Sequence, residues 1–118
     1  MQIRINKTEH IEKPWGYEEI LETNPEYTLK RLFMKKSCQC SYQYHEKKQE
    51  TVLCLLGDLT ILLEGKEVIL RAGESITIYP LQKHRMLAKE KDCSYLECST
   101  SELNDVIRIQ DDYGREQL

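Results

Sequence analysis

Short apolar stretches separated by turn residues recur along most of this 118-residue chain, and they limit the folds it can adopt. The stretches expected to form strands are residues 28–34, 39–45, 51–56, 59–63, 67–70, 75–79, 85–88 and 94–98. Turn signals follow three of them, at Gly57-Asp58, Glu64-Gly65-Lys66 and Ala72-Gly73-Glu74. Short strands repeating about every 8 to 12 residues are typical of all-β sandwiches and barrels. The pattern therefore predicts an all-β fold.

The length of the chain fits one domain, because 118 residues can enclose one hydrophobic core but not two. We expect a single domain over residues 1–118, with the barrel core in residues 27–100. Residues 1–26 are expected to pack on the barrel or on a dimer partner, and residues 101–118 to form a C-terminal segment. A helical signal is present only in part of the first twenty residues and in residues 101–106, where Ser101 could cap a short turn.

Charge, hydropathy and cysteine content argue against several classes of protein. The net charge is −3 and no basic block is present, so we expect no nucleic acid partner. No apolar run approaches the roughly 20 residues needed to cross a bilayer, and the N-terminus lacks the pattern of a signal peptide. We therefore expect no membrane association. The five cysteines are an odd number without a second zinc-type pair, which favours a reduced, cytoplasmic protein.

Four polar residues could form a metal site. Gln43 and His45 lie two positions apart on one predicted strand, so they share a face. Glu50 opens the next strand, and pairing of these two strands around residues 46–49 would turn its carboxylate to the same interior. His84 lies at the junction between a loop and a later strand. Two imidazoles, a carboxylate and an amide oxygen suit zinc, iron, manganese or nickel. The alternative is that both histidines are ordinary strand-end residues.

The same residues fall in two recognisable motifs. Gln43-x-His45-x4-Glu50-x6-Gly57 resembles the first cupin motif, with glutamine in place of the first histidine. A shortened second motif follows in Gly73, Pro80 and His84. The flanking sequences Lys13-Pro14-Trp15-Gly16 and Asp111-Asp112-Tyr113-Gly114-Arg115 extend the resemblance over nearly the whole chain. Together these residues resemble the type II mannose-6-phosphate isomerase family, and especially the cupin half of the bifunctional mannose-6-phosphate isomerase/mannose-1-phosphate guanylyltransferases.

The resemblance implies a cupin barrel, which is a double-stranded β-helix or jelly roll, assembled as a homodimer around a divalent metal ion. The family's metal-ligand positions fall on Gln43, His45, Glu50 and His84. Zinc is the favoured ion, with iron, manganese or nickel as alternatives. Glu97 and Arg85 match further family positions and are the expected catalytic residues. The implied reaction is aldose–ketose isomerisation of a sugar phosphate, with Glu97 as the base.

Departures from the family pattern leave other functions open. The family has an arginine at the position of Gln39, which we expect to lie beside the metal. Candidates for holding a phosphate are Arg85, Lys47, Lys83 and Arg31. One alternative function is a non-catalytic cupin that binds a sugar or another small ligand. Another is a non-haem metal oxygenase on the same barrel, because two histidines and a carboxylate also describe such sites.

Overall fold

A computed structural model describes residues 1–101 and 105–114 of the chain. Within those residues, all helix or strand structure consists of β-strands. The strands are β1 (Glu9–Lys13), β2 (Gly16–Thr23), β3 (Thr28–Met34), β4 (Cys38–Gln39), β5 (Tyr42–His45), β6 (Glu50–Leu56), β7 (Asp58–Leu63), β8 (Lys66–Arg71), β9 (Ser75–Ile78), β10 (His84–Ala88), β11 (Cys93–Ser99) and β12 (Val106–Gln110). Each of the eight predicted stretches overlaps at least one of these strands, so the all-β prediction is confirmed.

The strands form two antiparallel sheets. The first sheet has the order β1-β2-β3-β11-β6-β9, and the second has the order β12-β5-β10-β7-β8, with β4 also paired to β10. Chain neighbours such as β5 and β6 lie in different sheets, so the chain crosses repeatedly between the two layers. Long-range pairing of this kind places residues that are distant in sequence at the same end of the molecule.

Two sequence expectations about local structure are wrong. The stretch 39–45 is not one strand, because residues 40–41 separate β4 from β5. Cys40 N still donates to Met86 O of β10 over 3.1 Å. The first twenty residues are not helical, because β2 pairs with β1 on one side and with β3 on the other. The expected helical turn at 101–106 falls largely on residues 102–104, which lie outside the described residues.

The core between the sheets is built from alternate strand residues. Val52 and Cys54 of β6 and Leu59 and Ile61 of β7 are all completely buried. Trp15 joins this cluster with 5 % of its surface exposed. The next residue has to be glycine, because a Cβ at Gly16 would collide with the backbone carbonyl of Phe33 on β3. The Pro-Trp-Gly sequence thus fixes β2 against β3 and the indole in the core.

The outer surface retains several exposed large apolar side chains. They include Leu56, Ile69, Tyr79 and Leu81, as well as Ile3 and Ile5 near the N-terminus. Among residues 1–101 and 105–114, none belongs to a helix long and apolar enough to cross a membrane.

Candidate metal centre

A cavity of about 470 Å³ opens between the two sheets. Its first-sheet wall includes Lys30 of β3 and Glu97 of β11, and its second-sheet wall includes Gln43 and His45 of β5 and Arg108 of β12. Gln43 pairs with His84 on one side and with Arg108 on the other. Directly paired residues of a sheet point to the same face, so these three side chains form one row at the cavity end of the second sheet.

Three residues, hereafter the ligand triad, converge beside this cavity, and one of them, His45, lines its wall. They are His45, Glu50 and His84. One potential ligand atom from each lies within 4.8 Å of the others, and all three side chains are buried. The histidines come from the neighbouring strands β5 and β10, and Glu50 is the first residue of β6.

The triad is assembled across the sandwich and not within a hairpin. We expected β5 and β6 to pair around residues 46–49, and this is wrong. β5 pairs with β10 and β12, whereas β6 pairs with β9 and β11 in the other sheet. The Glu50 carboxylate therefore faces the two imidazoles from the opposite layer.

Both imidazoles are oriented by backbone carbonyls. His45 Nδ1 lies 3.1 Å from Asp105 O, and His84 Nδ1 lies 2.9 Å from Gln82 O. A carbonyl oxygen can only accept a hydrogen bond, so each Nδ1 carries a proton and each Nε2 is turned to the interior of the triad. This is the arrangement that commonly fixes a metal-binding histidine.

The atoms at the centre of the triad lack hydrogen-bond partners. Within the described residues, no hydrogen bond reaches Nε2 of His45 or His84, or either carboxylate oxygen of Glu50. Glu50 Oε1 lies 3.1 Å from His84 Nε2 and 3.8 Å from His45 Nε2. Buried lone pairs facing one another at this distance are unfavourable unless a proton or a cation lies between them. Two imidazoles and a carboxylate are ligands that divalent transition metals and zinc accept, so the residues fit such an ion.

The electrostatic environment favours the ligand forms of two triad residues. Burial, followed by the charge of Lys48 and the neighbouring His84, lowers the pKa of His45 to about 4. Burial opposes ionisation of Glu50, but contacts with His84 and Lys48 outweigh it and keep its pKa below the usual range. Burial likewise opposes protonation of His84, yet its contact with Glu50 raises its pKa. A metal would therefore bind a neutral His45 and an ionised Glu50, and would compete with a proton at His84.

Gln43, the fourth expected ligand, does reach the cavity. Its Oε1 accepts a hydrogen bond of 2.6 Å from Ser41 Oγ. Coordination by the Gln43 amide stays a prediction.

The two expected catalytic residues have different positions. Glu97 lines the cavity and lies 3.3 Å from Lys48 Nζ. Arg85 does not line it, because the residue after His84 on β10 points to the opposite face. Its guanidinium instead donates to Cys40 O over 2.8 Å and to Gln110 O over 3.0 Å. The structure thus gives Arg85 a position between strands and not in the cavity.

The expected substrate-holding residues also lie elsewhere. Arg31, Lys47 and Lys83 are not part of the cavity lining. Gln39, which we expected beside the metal, donates to Asp112 Oδ2 over 2.6 Å outside the cavity. A missing arginine at position 39 therefore does not remove a positive charge from the cavity wall.

The sequence analysis missed three residues that shape the site. Lys48, from a Lys-Lys pair that resembles a solvated loop, is only 6 % exposed and contacts both Glu50 and Glu97. Arg108 lines the cavity, and its buried Nε has no hydrogen-bond partner in the described part of the chain. Asp105 accepts the backbone N–H groups of residues 47 and 48 at 2.7 and 3.0 Å. The alternation of β12 could have indicated Arg108, but no local signal marks Lys48.

Solved structures with the same architecture define the class of the protein. KdgF from Halomonas sp. superposes with a TM-score of 0.74 at 17 % identity, covering 85 % of this chain and 90 % of that one. An RmlC-like cupin from Shewanella frigidimarina gives a TM-score of 0.74 at 17 % identity over 84 % and 88 % of the two chains. Pac13 from Streptomyces, described as a nucleoside dehydratase, superposes with a TM-score of 0.77 at 13 % identity, covering 94 % of this chain and 92 % of that one. The chain is a cupin with a double-stranded β-helix fold.

Sequence comparison identifies the family within this class. Residues 2–111 match the profile of the family described as mannose-6-phosphate isomerase C-terminal, and the chain belongs to that family. Mannose-1-phosphate guanylyltransferase of Escherichia coli is 31 % identical over 111 residues, and the xanthan biosynthesis protein XanB of Xanthomonas campestris is 26 % identical over 110 residues. These alignments cover 89 % of this chain but 23 % of either relative, so the chain spans about a quarter of their length. The resemblance inferred from the motifs is confirmed.

Proposed function

We propose that this cupin is a metal-dependent isomerase that interconverts the aldose and ketose forms of a sugar phosphate. The observation that carries the proposal is the ligand triad, whose buried nitrogen and oxygen atoms have no hydrogen-bond partners among the described residues and whose His45 lines the cavity. Membership of the mannose-6-phosphate isomerase C-terminal family supports a hexose phosphate as the substrate.

The triad would hold the metal, with Gln43 as the proposed fourth ligand. A divalent ion bound there would supply Lewis acidity for the oxygen of the substrate that gains negative charge during isomerisation. Zinc is the proposed ion, since two imidazoles and a carboxylate match its usual catalytic ligands. Iron, manganese and nickel are the alternatives.

Glu97 is the proposed base. Isomerisation requires a group that removes a proton from one carbon and returns it to the next, and such a group works best with a pKa near the working pH. Burial, together with the negative charge of Glu50, raises the pKa of Glu97. Glu97 lines the same cavity as His45 of the triad, which supports this role.

The cavity wall also offers cations for a phosphate. Arg108 has a buried Nε without a hydrogen-bond partner among the described residues, and Lys30 is directly opposite Glu97 in the pairing of β3 with β11. Lys13 also lines the cavity. The Nζ atoms of Lys13 and Lys30 lie 3.9 and 3.6 Å from Glu18 Oε1. Two lysines around one carboxylate leave a net positive charge, which suits an anionic substrate. We propose these three residues, in place of Arg85, as the phosphate-binding group.

An isomerase assay tests the proposal. Purified protein loaded with zinc or manganese should convert mannose 6-phosphate to fructose 6-phosphate, a chelator should abolish the conversion, and added metal should restore it. Glu97→Gln should lower kcat by at least about a hundredfold, the usual contribution of a general base, while the metal content stays unchanged. Binding of hexose and pentose phosphates in calorimetry without turnover of any of them would refute the isomerase and favour the non-catalytic cupin. Oxygen consumption by the iron-loaded protein would favour the oxygenase.

We further propose that the protein is a cytoplasmic homodimer. All five cysteines are free thiols, which a reducing compartment preserves. Exposed apolar residues such as Leu56 and Ile69 on the outer sheet surface would be covered in a dimer. Light scattering coupled to size exclusion should give twice the mass of 14.0 kDa, and a monomer at micromolar concentration would contradict the proposal.

A further inference from the structure

Two carboxylates share the inner face of the first sheet. Glu50 pairs with Ser99, and Glu97 pairs with Val52, so the two glutamates are diagonal neighbours on adjacent strands. Glu50 is 2 % exposed and Glu97 is 8 % exposed. Carboxylates this close and this buried repel one another, and either of them could act as a metal ligand.

Lys48 lies between these carboxylates. Its Nζ is 3.5 Å from Glu50 Oε2 and 3.3 Å from Glu97 Oε2. Burial disfavours the ammonium form of Lys48, but the two carboxylates outweigh this effect and raise its pKa. The ammonium group therefore neutralises charge on both neighbours at once.

The backbone of the loop that carries Lys48 is fixed at both ends. Asp105 accepts the N–H groups of residues 47 and 48 with its side chain, and its carbonyl oxygen accepts the Nδ1 proton of His45. Gln49 N donates to Thr100 Oγ1 over 3.1 Å, and Thr100 N donates to Gln49 O over 3.0 Å. Lys48 is thus presented by a loop that is held against the same elements that orient the triad.

The two oxygens of Glu50 face different groups. Oε1 faces the imidazoles of the triad, whereas Oε2 faces Lys48. The ammonium group likewise engages an oxygen of Glu97. Lys48 therefore contacts one oxygen of each carboxylate at the same time.

We propose that Lys48 is a positioning residue, which keeps the Glu97 carboxylate out of the coordination shell of the metal and thereby preserves Glu97 as a free base. This inference rests on the proposed function, because it requires a metal at the triad. Without Lys48, the repulsion between the glutamates is relieved most simply when Glu97 turns to the metal and becomes an additional ligand. The site would then bind metal more tightly and lose its base.

Cobalt(II) tests the proposal, because its visible absorption bands weaken and shift as the number of ligands rises. The variants are Lys48→Met, Lys48→Arg, Glu97→Gln and the double variant Lys48→Met/Glu97→Gln. Lys48→Met should bind cobalt roughly tenfold more tightly, with weaker visible bands and a reduced kcat. Lys48→Arg keeps the charge and should retain the wild-type spectrum.

The double variant separates coordination from simple electrostatics. Removal of a positive charge beside a metal strengthens binding by itself, but only recruitment of Glu97 changes the spectrum. The double variant should therefore return to the wild-type spectrum. A Lys48→Met spectrum identical to that of the wild type, or one that stays altered in the double variant, would overturn the proposal.

Two further readouts keep the test decisive. Should Lys48→Met fail to fold, Glu97→Gln decides, because a free base can be replaced without changing the cobalt spectrum, whereas a ligand cannot. A changed cobalt spectrum in Glu97→Gln would refute the positioning role. Failure of the wild-type protein to bind cobalt at all would instead refute the proposed function.

Discussion

Arg85 connects three parts of the second sheet, and its replacement tests whether it stabilises the fold or serves the substrate. Its Nε donates to Cys40 O and its Nη2 donates to Gln110 O, at 2.8 and 3.0 Å. Hydrogen bonds from a charged donor contribute about 1.5 to 3 kcal/mol each. The contact with the half-exposed Asp112 adds at most a few tenths of a kcal/mol, roughly the value of a surface ion pair.

Replacement by methionine keeps part of the apolar stem but removes both donors. Arg85→Met should therefore lower the free energy of unfolding by about 3 kcal/mol, the lower end of the sum of two such bonds. For a chain of this size, that loss corresponds to a fall in Tm of roughly 10 °C. Urea unfolding followed by tryptophan fluorescence would measure it, since the single Trp15 lies in the core.

A matched control separates this role from a general loss of charge. Arg31 is half-exposed and has Glu19 as its partner at 2.8 Å, so Arg31→Met should leave the midpoint of urea unfolding close to that of the wild type. The reasoning would be refuted if Arg85→Met kept the stability of the wild type and raised KM for the sugar phosphate, because the guanidinium would then contact substrate.

Three further perturbations have defined outcomes. Asp105→Ala should weaken zinc affinity by roughly ten- to a hundredfold in a competition titration, because the backbone N–H groups of residues 47 and 48 lose their acceptor and the Asp105 carbonyl that orients His45 is then held less firmly. Unchanged affinity would contradict the role given to Asp105. Gly16→Ala should destabilise the protein by more than about 2 kcal/mol. Gly65 also has a positive φ but has open space around it, so Gly65→Ala should cost about 1 kcal/mol. Equal costs of the two variants in urea unfolding would argue against the close contact of Gly16 with β3. At pH 8 iodoacetamide should modify the exposed Cys98 rapidly and Cys93 only after unfolding, since burial raises the pKa of the Cys93 thiol to about 12; early labelling of Cys93 by mass spectrometry would show that the core is open.

Local patterns in the sequence predicted most strands, and the resemblance to the cupin motifs assigned the residues of the triad as metal ligands. Gln43 and His45 lie on the same face of β5, as their alternation predicted, and both line the cavity. The spacing of the cupin motifs identified Glu50 and His84. The sheet to which Glu50 belongs could not be predicted in this way, because strand pairing is set by contacts between distant segments. The hairpin expected around residues 46–49 is locally plausible, yet β6 gains its partners from β9 and β11.

Burial of charged residues was the other quantity that local sequence did not predict. Lys48 has the same neighbours as a solvated loop lysine, and only its contact with two buried carboxylates explains its burial. Arg85 matches a family position in the sequence. The orientation of its side chain depends on the alternation of β10 and on the backbone carbonyls of residues 40 and 110, which accept its hydrogen bonds. Roles that depend on which side chains meet across the sandwich therefore require the three-dimensional structure.

Metal content is the most direct test of the central claim that the triad binds a divalent ion. Protein purified without chelator should contain close to one equivalent of zinc or another transition metal by elemental analysis. His45→Ala and Glu50→Ala should lose that metal while remaining folded by circular dichroism, and Arg85→Met should retain it. A metal-free wild-type protein that does not take up zinc, manganese or iron on dialysis, or a full equivalent of metal retained in His45→Ala, would contradict the assignment of the site.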